Sequence, residues 1–173
     1  VAGSFGSFTP NGGFSGLVRL LANGQLDPDF QRPNFGANDL ANPIFAPIVV
    51  DANGKILIAG SFGSVNGVGR PAVARLNTDG SLDDTFNPTG FAFGPGQVRG
   101  VGLQSTGKIL VAGNGLAVAG AGRAIIRLNA DGSLDDTFPA LSSGGLALSG
   151  WPRLLRVLPD DRFTVLSNKV LRF

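Results

Sequence analysis

Short apolar runs rich in β-branched residues, divided by Gly, Asn, Asp and Pro, fill the chain, a pattern that predicts strands joined by tight turns. The runs recur as a set. Arg19-Leu20-Leu21-Ala22-Asn23-Gly24-Gln25-Leu26-Asp27-Pro28-Asp29-Phe30 returns as Arg75-Leu76-Asn77-Thr78-Asp79-Gly80-Ser81-Leu82-Asp83-Asp84-Thr85-Phe86. It returns again as Arg127-Leu128-Asn129-Ala130-Asp131-Gly132-Ser133-Leu134-Asp135-Asp136-Thr137-Phe138, and a fourth copy opens at Val170-Leu171-Arg172-Phe173. Lys55-Ile56-Leu57-Ile58-Ala59-Gly60 keeps the same beat as Lys108-Ile109-Leu110-Val111-Ala112-Gly113. Val1-Ala2-Gly3-Ser4-Phe5 is a partial copy and Arg162-Phe163-Thr164-Val165-Leu166-Ser167 a diverged one. Further apolar runs precede these at 44–50, 98–103 and 154–158. Each unit thus predicts four short strands: three apolar runs, then a Leu-Asp-x-x-Phe run.

The turns carry their own geometry. Pairing Arg75 with Asp83 and Leu76 with Leu82 leaves Thr78-Asp79-Gly80 as a hairpin loop, a type I turn closed by Gly in the left-handed region. Gly24 and Gly132 fall at the same place, and Gly54 and Gly107 close the upstream turn. Asp161 replaces that Gly in the last unit, where the turn is expected to be the most strained. The register puts Leu76 and Leu82 on one side of the sheet and Arg75 and Asp83 on the other as a cross-strand pair. Arg19 with Asp27, and Arg127 with Asp135, repeat it. Recurring once per unit, these pairs read as struts between units rather than catalytic groups. Phe30, Phe86 and Phe138 end each unit and read as core.

Repeats of this length with four short strands predict an all-β fold, a β-propeller. A two-sheet sandwich would explain the strands but not the repeat. The chain divides into units at approximately 1–30, 31–86, 87–138 and 139–173 within a single segment, 1–173. The units hold three, four, four and three strands, short of the roughly four to eight complete blades that close a ring. The expectation is an incomplete arc of about three to four blades, part of a larger propeller. Its unpaired edge strands would have as partners the remaining blades of the parent chain or other copies of the chain itself.

Gly-Lys-Ile-Leu-Ile-Ala-Gly at 54–60 followed by the repeat at 75–88, and the matching stretches at 107–113 and 127–138, resemble the delta-60 repeat β-propellers of bacteria (DUF5122-type repeats). Two units match closely, the first lacks its opening strand and the last is diverged. The resemblance implies the propeller fold and an extracellular or cell-surface address in a bacterium, and it supplies no catalytic residues. With the repeats, it suggests a non-enzymatic exported module acting as a scaffold, adhesion or assembly unit. The alternative is a propeller face that binds carbohydrate or another ligand, or an Asp-based glycosidase.

Composition narrows the chemistry. The 173 residues include 27 Gly, 11 Pro and 14 Lys or Arg, with no Cys, His, Met or Tyr. Glu is also absent, so all 12 acidic residues are Asp. No disulfide framework, zinc finger, thiol nucleophile or Ser-His-Asp triad can form. The missing Met leads to the expectation of a processed chain, a fragment, or part of something longer. A net charge of +2 gives no nucleic-acid footprint, and the pI near 9.7 reflects the absence of His and Cys. The 44–50 run is interrupted by Pro47 and far too short to span a bilayer. Residues 1–5 lack the charged and apolar regions of a signal peptide, so an exported chain would already have lost it.

The remaining residues allow three kinds of site. Asp79, Asp83, Asp84, Asp131, Asp135 and Asp136 put oxygens near tight turns, as calcium favours, but they lack the full EF-hand spacing and its bidentate Glu. Turn hydrogen bonding explains the same residues, so no cofactor is expected, with calcium the candidate exception. For catalysis only Asp and Lys remain, and nearly every Asp lies in a repeated turn or Leu-Asp run; Asp39 stands outside. No catalytic residue is assigned. For ligands, the stretches 6–16, 63–70 and 113–123 read as variable loops. Arg70 and Arg123, just before the third strand, suit an anionic sugar or, more commonly, a loop cap. Trp151 could stack on a glycan, although a buried Trp at the start of a unit is the commoner case.

Overall fold

The computed structural model describes residues 16–37, 48–94, 98–139 and 152–167, and every element among them is a strand. The partial copy at 1–5, Asp39, Trp151 and the fourth copy at 170–173 lie outside the described residues.

The second unit holds β1 (Phe35–Ala37), β2 (Val49–Val50), β3 (Ile56–Ala59), β4 (Phe62–Val65), β5 (Val68–Gly69) and β6 (Val73–Leu76). The third holds β7 (Ala92–Phe93), β8 (Val98–Leu103), β9 (Ile109–Val118) and β10 (Ala121–Leu128). β11 (Pro152–Val157) and β12 (Phe163–Ser167) represent the last unit. All strand pairings are antiparallel: β2-β3-β6 in the second unit, β8-β9-β10 in the third and β11-β12 in the last. These are the all-β sheets of the expected propeller arc.

The stretches 63–70 and 113–123, expected to be variable loops, are instead the outer halves of one hairpin. In the third unit β9 and β10 run on until Val118 pairs with Ala121, leaving Ala119-Gly120 as the turn. In the second unit Val65 pairs with Val68 around Asn66-Gly67. The small residues that suggested loops alternate with buried ones, Val65 at 0% exposure and Leu116 at 1%. Pro71, one residue more than the third unit has between its Arg and Ala, lacks an N–H and interrupts the ladder, so one hairpin becomes four short strands. The short strands β1 and β7, which pair with β4 and β9, had no counterpart in the expected set.

The fourth run is shorter than a strand. Leu20, Leu76 and Leu128 each make a single bridge to Leu26, Leu82 and Leu134. The chain then curls because Asp83 Oδ1 accepts from the Thr85 N–H at 3.1 Å and Oγ1 at 2.6 Å, and Asp135 does the same with Thr137.

Period-two alternation splits each strand between two cores. Leu57 and Ala59 join Ile109, Val111 and Phe86 between the second and third units. Ile58, Ala74 and Leu76 join Leu17 and Phe30 between the first and second. Leu110, Ala112 and Ile125 meet Leu155 of the last unit. There β8 and β11 lie so close that a Cβ at Gly100 would stand 2.7 Å from Leu155 Cβ. The units therefore stack face to face, as blades do, and the strands are apolar on both faces for that reason.

Candidate functional site: the seam between units

The Arg–Asp pairs form in the expected register. Asp83 N–H bonds Arg75 O at 2.9 Å, and Arg75 Nε meets Asp83 Oδ2 at 2.6 Å. Arg127 and Asp135 pair at 2.7 Å, as do Arg19 and Asp27. Each Arg also stacks on the Phe that ends its unit: Arg19 lies 4.9 Å from the Phe30 ring centre, Arg75 5.0 Å from Phe86 and Arg127 4.7 Å from Phe138.

A second cation was not foreseen. Lys55 Nζ reaches Asp83 Oδ2 at 2.7 Å, and Lys108 Nζ reaches Asp135 Oδ2 at 2.6 Å. The signal was present, since both Lys residues keep the beat of the repeat one position before the second strand. Two cations and a Thr surround each buried carboxylate. Burial opposes ionisation of Asp83, but Lys55, Thr85 and Arg75 outweigh it and hold its carboxyl well below the ordinary range. Lys108, Thr137 and Arg127 do the same for Asp135 against the opposing effect of burial. Asp27 is more open; the Asp29 N–H and Arg19 lower it.

The guanidinium then crosses to the next unit, as a strut should. Arg75 Nη1 donates to Ala130 O at 2.8 Å, and Arg19 Nη1 donates to Thr78 O. These carbonyls belong to the hairpin turns of the following unit. The residue after the unit-ending Phe grips the same turn: Gln31 N–H donates to Asp79 O at 2.7 Å and Asn87 N–H to Asp131 O at 2.8 Å. The turn glycine fits beneath. A Cβ on Gly80 would strike Gln31 O and the Phe30 ring, and one on Gly132 would lie 2.7 Å from Asn87 C. The turn glycines thus serve a left-handed backbone, φ +87° and +95°, and close packing against the neighbouring unit. Gly24, Gly54 and Gly107 also have positive φ, as expected of their turns.

The calcium candidates separate into different tasks. Asp79 and Asp131 turn their Oδ1 to Ser81 and Ser133 within their own turns. Asp83 and Asp135 are buried against Lys and Arg, while Asp84, 85% exposed, only reaches Arg70 Nη2 at 3.7 Å and Asp136 is exposed. Among the described residues no three acidic groups gather. Arg70 Nη1 donates to Gly69 O at 2.8 Å and Arg123 Nη1 to Gly122 O at 3.3 Å, in each case the carbonyl of the preceding residue, which lies in a strand of the hairpin and not in a loop. Asp161 stands in the left-handed region with φ +62°, and its carboxylate receives Ser105 N–H and Oγ from the third unit. Those contacts lower its pKa, the Ser105 hydroxyl first.

Stacked four-part sheets joined by a recurring Arg–Asp–Lys seam define a β-propeller repeat protein. The chain matches the family model for a domain of unknown function (DUF5122) beta-propeller over residues 1–30, 52–86 and 104–138, and it belongs to that family. Neither a curated protein nor a solved structure matches it.

Proposed function

We propose that the chain is a non-enzymatic propeller module, exported to the exterior of a bacterial cell, where it works as a scaffold, adhesion or assembly unit without a cofactor. The observation that supports this reading is the use of buried charge. Asp83 and Asp135, the buried carboxylates among the described residues, direct their oxygens to Lys, Arg and Thr partners that tie the fold together. Carboxylates held ionised and saturated in this way suit cohesion rather than proton transfer. Among the described residues no helix is long and apolar enough to cross a membrane.

Two measurements test the reading. Labelling of intact cells with a membrane-impermeant amine reagent is expected to modify the protein; labelling only after lysis would overturn the exterior address. Thermal unfolding with added calcium and with chelator is expected to coincide. A calcium-dependent rise in Tm would assign the Asp-rich turns a metal and overturn the cofactor-free part.

A further inference from the structure

Arg70 is unlike the arginines of the seam. The side chains of Arg19, Arg75 and Arg127 are 39%, 15% and 21% exposed, and each sets its Nε against an Asp oxygen at 2.7, 2.6 and 2.7 Å. That of Arg70 is 8% exposed, yet its Nε is buried without a hydrogen-bond partner. Its Nη1 is used, on Gly69 O at 2.8 Å and on Asn87 Oδ1 at 3.4 Å. Among the described residues its Nη2 meets Asp84 Oδ1 at 3.7 Å, too long for a hydrogen bond. The most buried guanidinium of the four is therefore the least satisfied.

The sequence brings this about. The second unit has Pro71 between Arg70 and Ala72, where the third passes directly from Arg123 to Ala124. A γ-turn absorbs the extra residue: Val73 N–H donates to Pro71 O at 2.8 Å around Ala72, which is fully buried with φ +66°. A residue with a Cβ is strained there, and an extra residue in a strand redirects the side chains beside it. Arg70 is directed to Asn87, whose N–H bonds Asp131 O across the joint between the second and third units. Arg123 stays half-buried.

A charge this deep needs its donors met. Nε and Nη2 form the edge of a guanidinium that grips two carboxylate oxygens at once, and neither makes a hydrogen bond here. Nη2 is the way in, because Asp84 beside it is 85% exposed. Asn87 is exposed as well. The Asp84 carboxylate accepts hydrogen bonds and the Asn87 amide both donates and accepts, so the mouth suits hydroxyl groups. We infer that Arg70 takes the carboxylate of an acidic sugar, with Asp84 turned aside from Nη2 and bonded, like Asn87, to the sugar's hydroxyls. A bare anion has no hydroxyl to set against Asp84, which therefore selects against it. The inference names a ligand class for the adhesion part of the function proposed above and rests on it.

The side-chain Nε–H signal of Arg70 in nitrogen-15 NMR reports the site directly. Glucuronate is expected to shift it, and the Asn87 side-chain amide, saturably in about the millimolar range and at least about fivefold more tightly than acetate, while glucose leaves both in place. The Nε–H signals of Arg75 and Arg127, held by Asp83 and Asp135, are expected to stay still. Arg70→Lys keeps the charge but loses the fork, and the Asn87 amide is expected to report binding at least about tenfold weaker. Should that variant unfold, Asp84→Ala at the exposed mouth reads the same site: it removes the hydroxyl acceptor and clears Nη2, and is expected to bring glucuronate and acetate to about equal affinity. An Arg70 signal unmoved by glucuronate and acetate alike would overturn the inference. Equal affinity for the two in the wild-type chain would overturn the assignment of a sugar. The labelling of intact cells reads the exterior address independently of either result.

Discussion

At the second and third units the turn glycine lies beneath the preceding unit, and at the first it stands in the open. Gly132 and Gly24 share a turn type, with φ +95° and +84°, and differ in what surrounds them. The carboxylates follow the same division. The Asp83 and Asp135 side chains, 3% and 4% exposed, each hold a Lys and an Arg, while that of Asp27, 11% exposed, holds Arg19. Related local sequences thus build the same type of turn, but the neighbouring unit decides which residues become indispensable.

That contrast can be broken by substitution. The largest effect is expected for Gly132→Ala, whose Cβ would press on the Asn87 backbone as well as occupy a left-handed position: a loss of about 3–4 kcal/mol in urea unfolding. Gly24→Ala has the backbone penalty alone, about 1 kcal/mol. Equal losses would show that the seam does not distinguish the two. Next, Asp83→Asn leaves Lys55 and Arg75 without their anion and is expected to cost about 3 kcal/mol. Asp27→Asn should change the midpoint far less, because Asp27 holds one cation instead of two and the Arg19 side of that pair is open to solvent, which screens it.

Acid sharpens the same comparison. The folded-state pKa values of Asp83 and Asp135 lie below the ordinary carboxylate value of about 3.9, so their stabilisation is complete above that value and is lost as pH falls below it. A Tm that is flat near neutrality and drops below about pH 4 is expected, with a shallower drop in Asp83→Asn. Lys55→Met removes one of two cations and should cost about 1 kcal/mol, measured by the same unfolding curves. The smallest effect is expected for Asp161→Gly, where relief of the left-handed backbone offsets loss of the Ser105 contacts; a Tm close to wild type would show that balance.

Much of this was legible beforehand because repetition exposes register. The Leu76–Leu82 bridge, the Gly80 turn and the Arg75–Asp83 pair each followed from aligning one unit on the next, and Asp161 could be placed in a left-handed turn because its counterparts are Gly54 and Gly107. Four features escaped. Residues 113–123 looked like a loop since Gly and Ala carry little strand signal, yet pairing with a neighbouring strand overrides weak propensity. The brevity of the fourth run depends on a side chain, Asp83, bonding Thr85 two residues on, which competes with a ladder that the apolar pattern alone cannot veto. The Lys55–Asp83 contact joins residues on different strands, so its one trace in the sequence is the recurrence of Lys at the same place in two units. The seam's second half, the carbonyl of Ala130 above Arg75, likewise depends on how the blades stack.

The division of each joint between two units has a bearing on how such proteins change in length. A unit copied in frame carries its own Arg and Phe to receive a successor and its own Asp-Gly turn to engage a predecessor. It arrives with both fittings already made, so the number of units can grow or shrink by duplication and deletion without any new interface having to be invented.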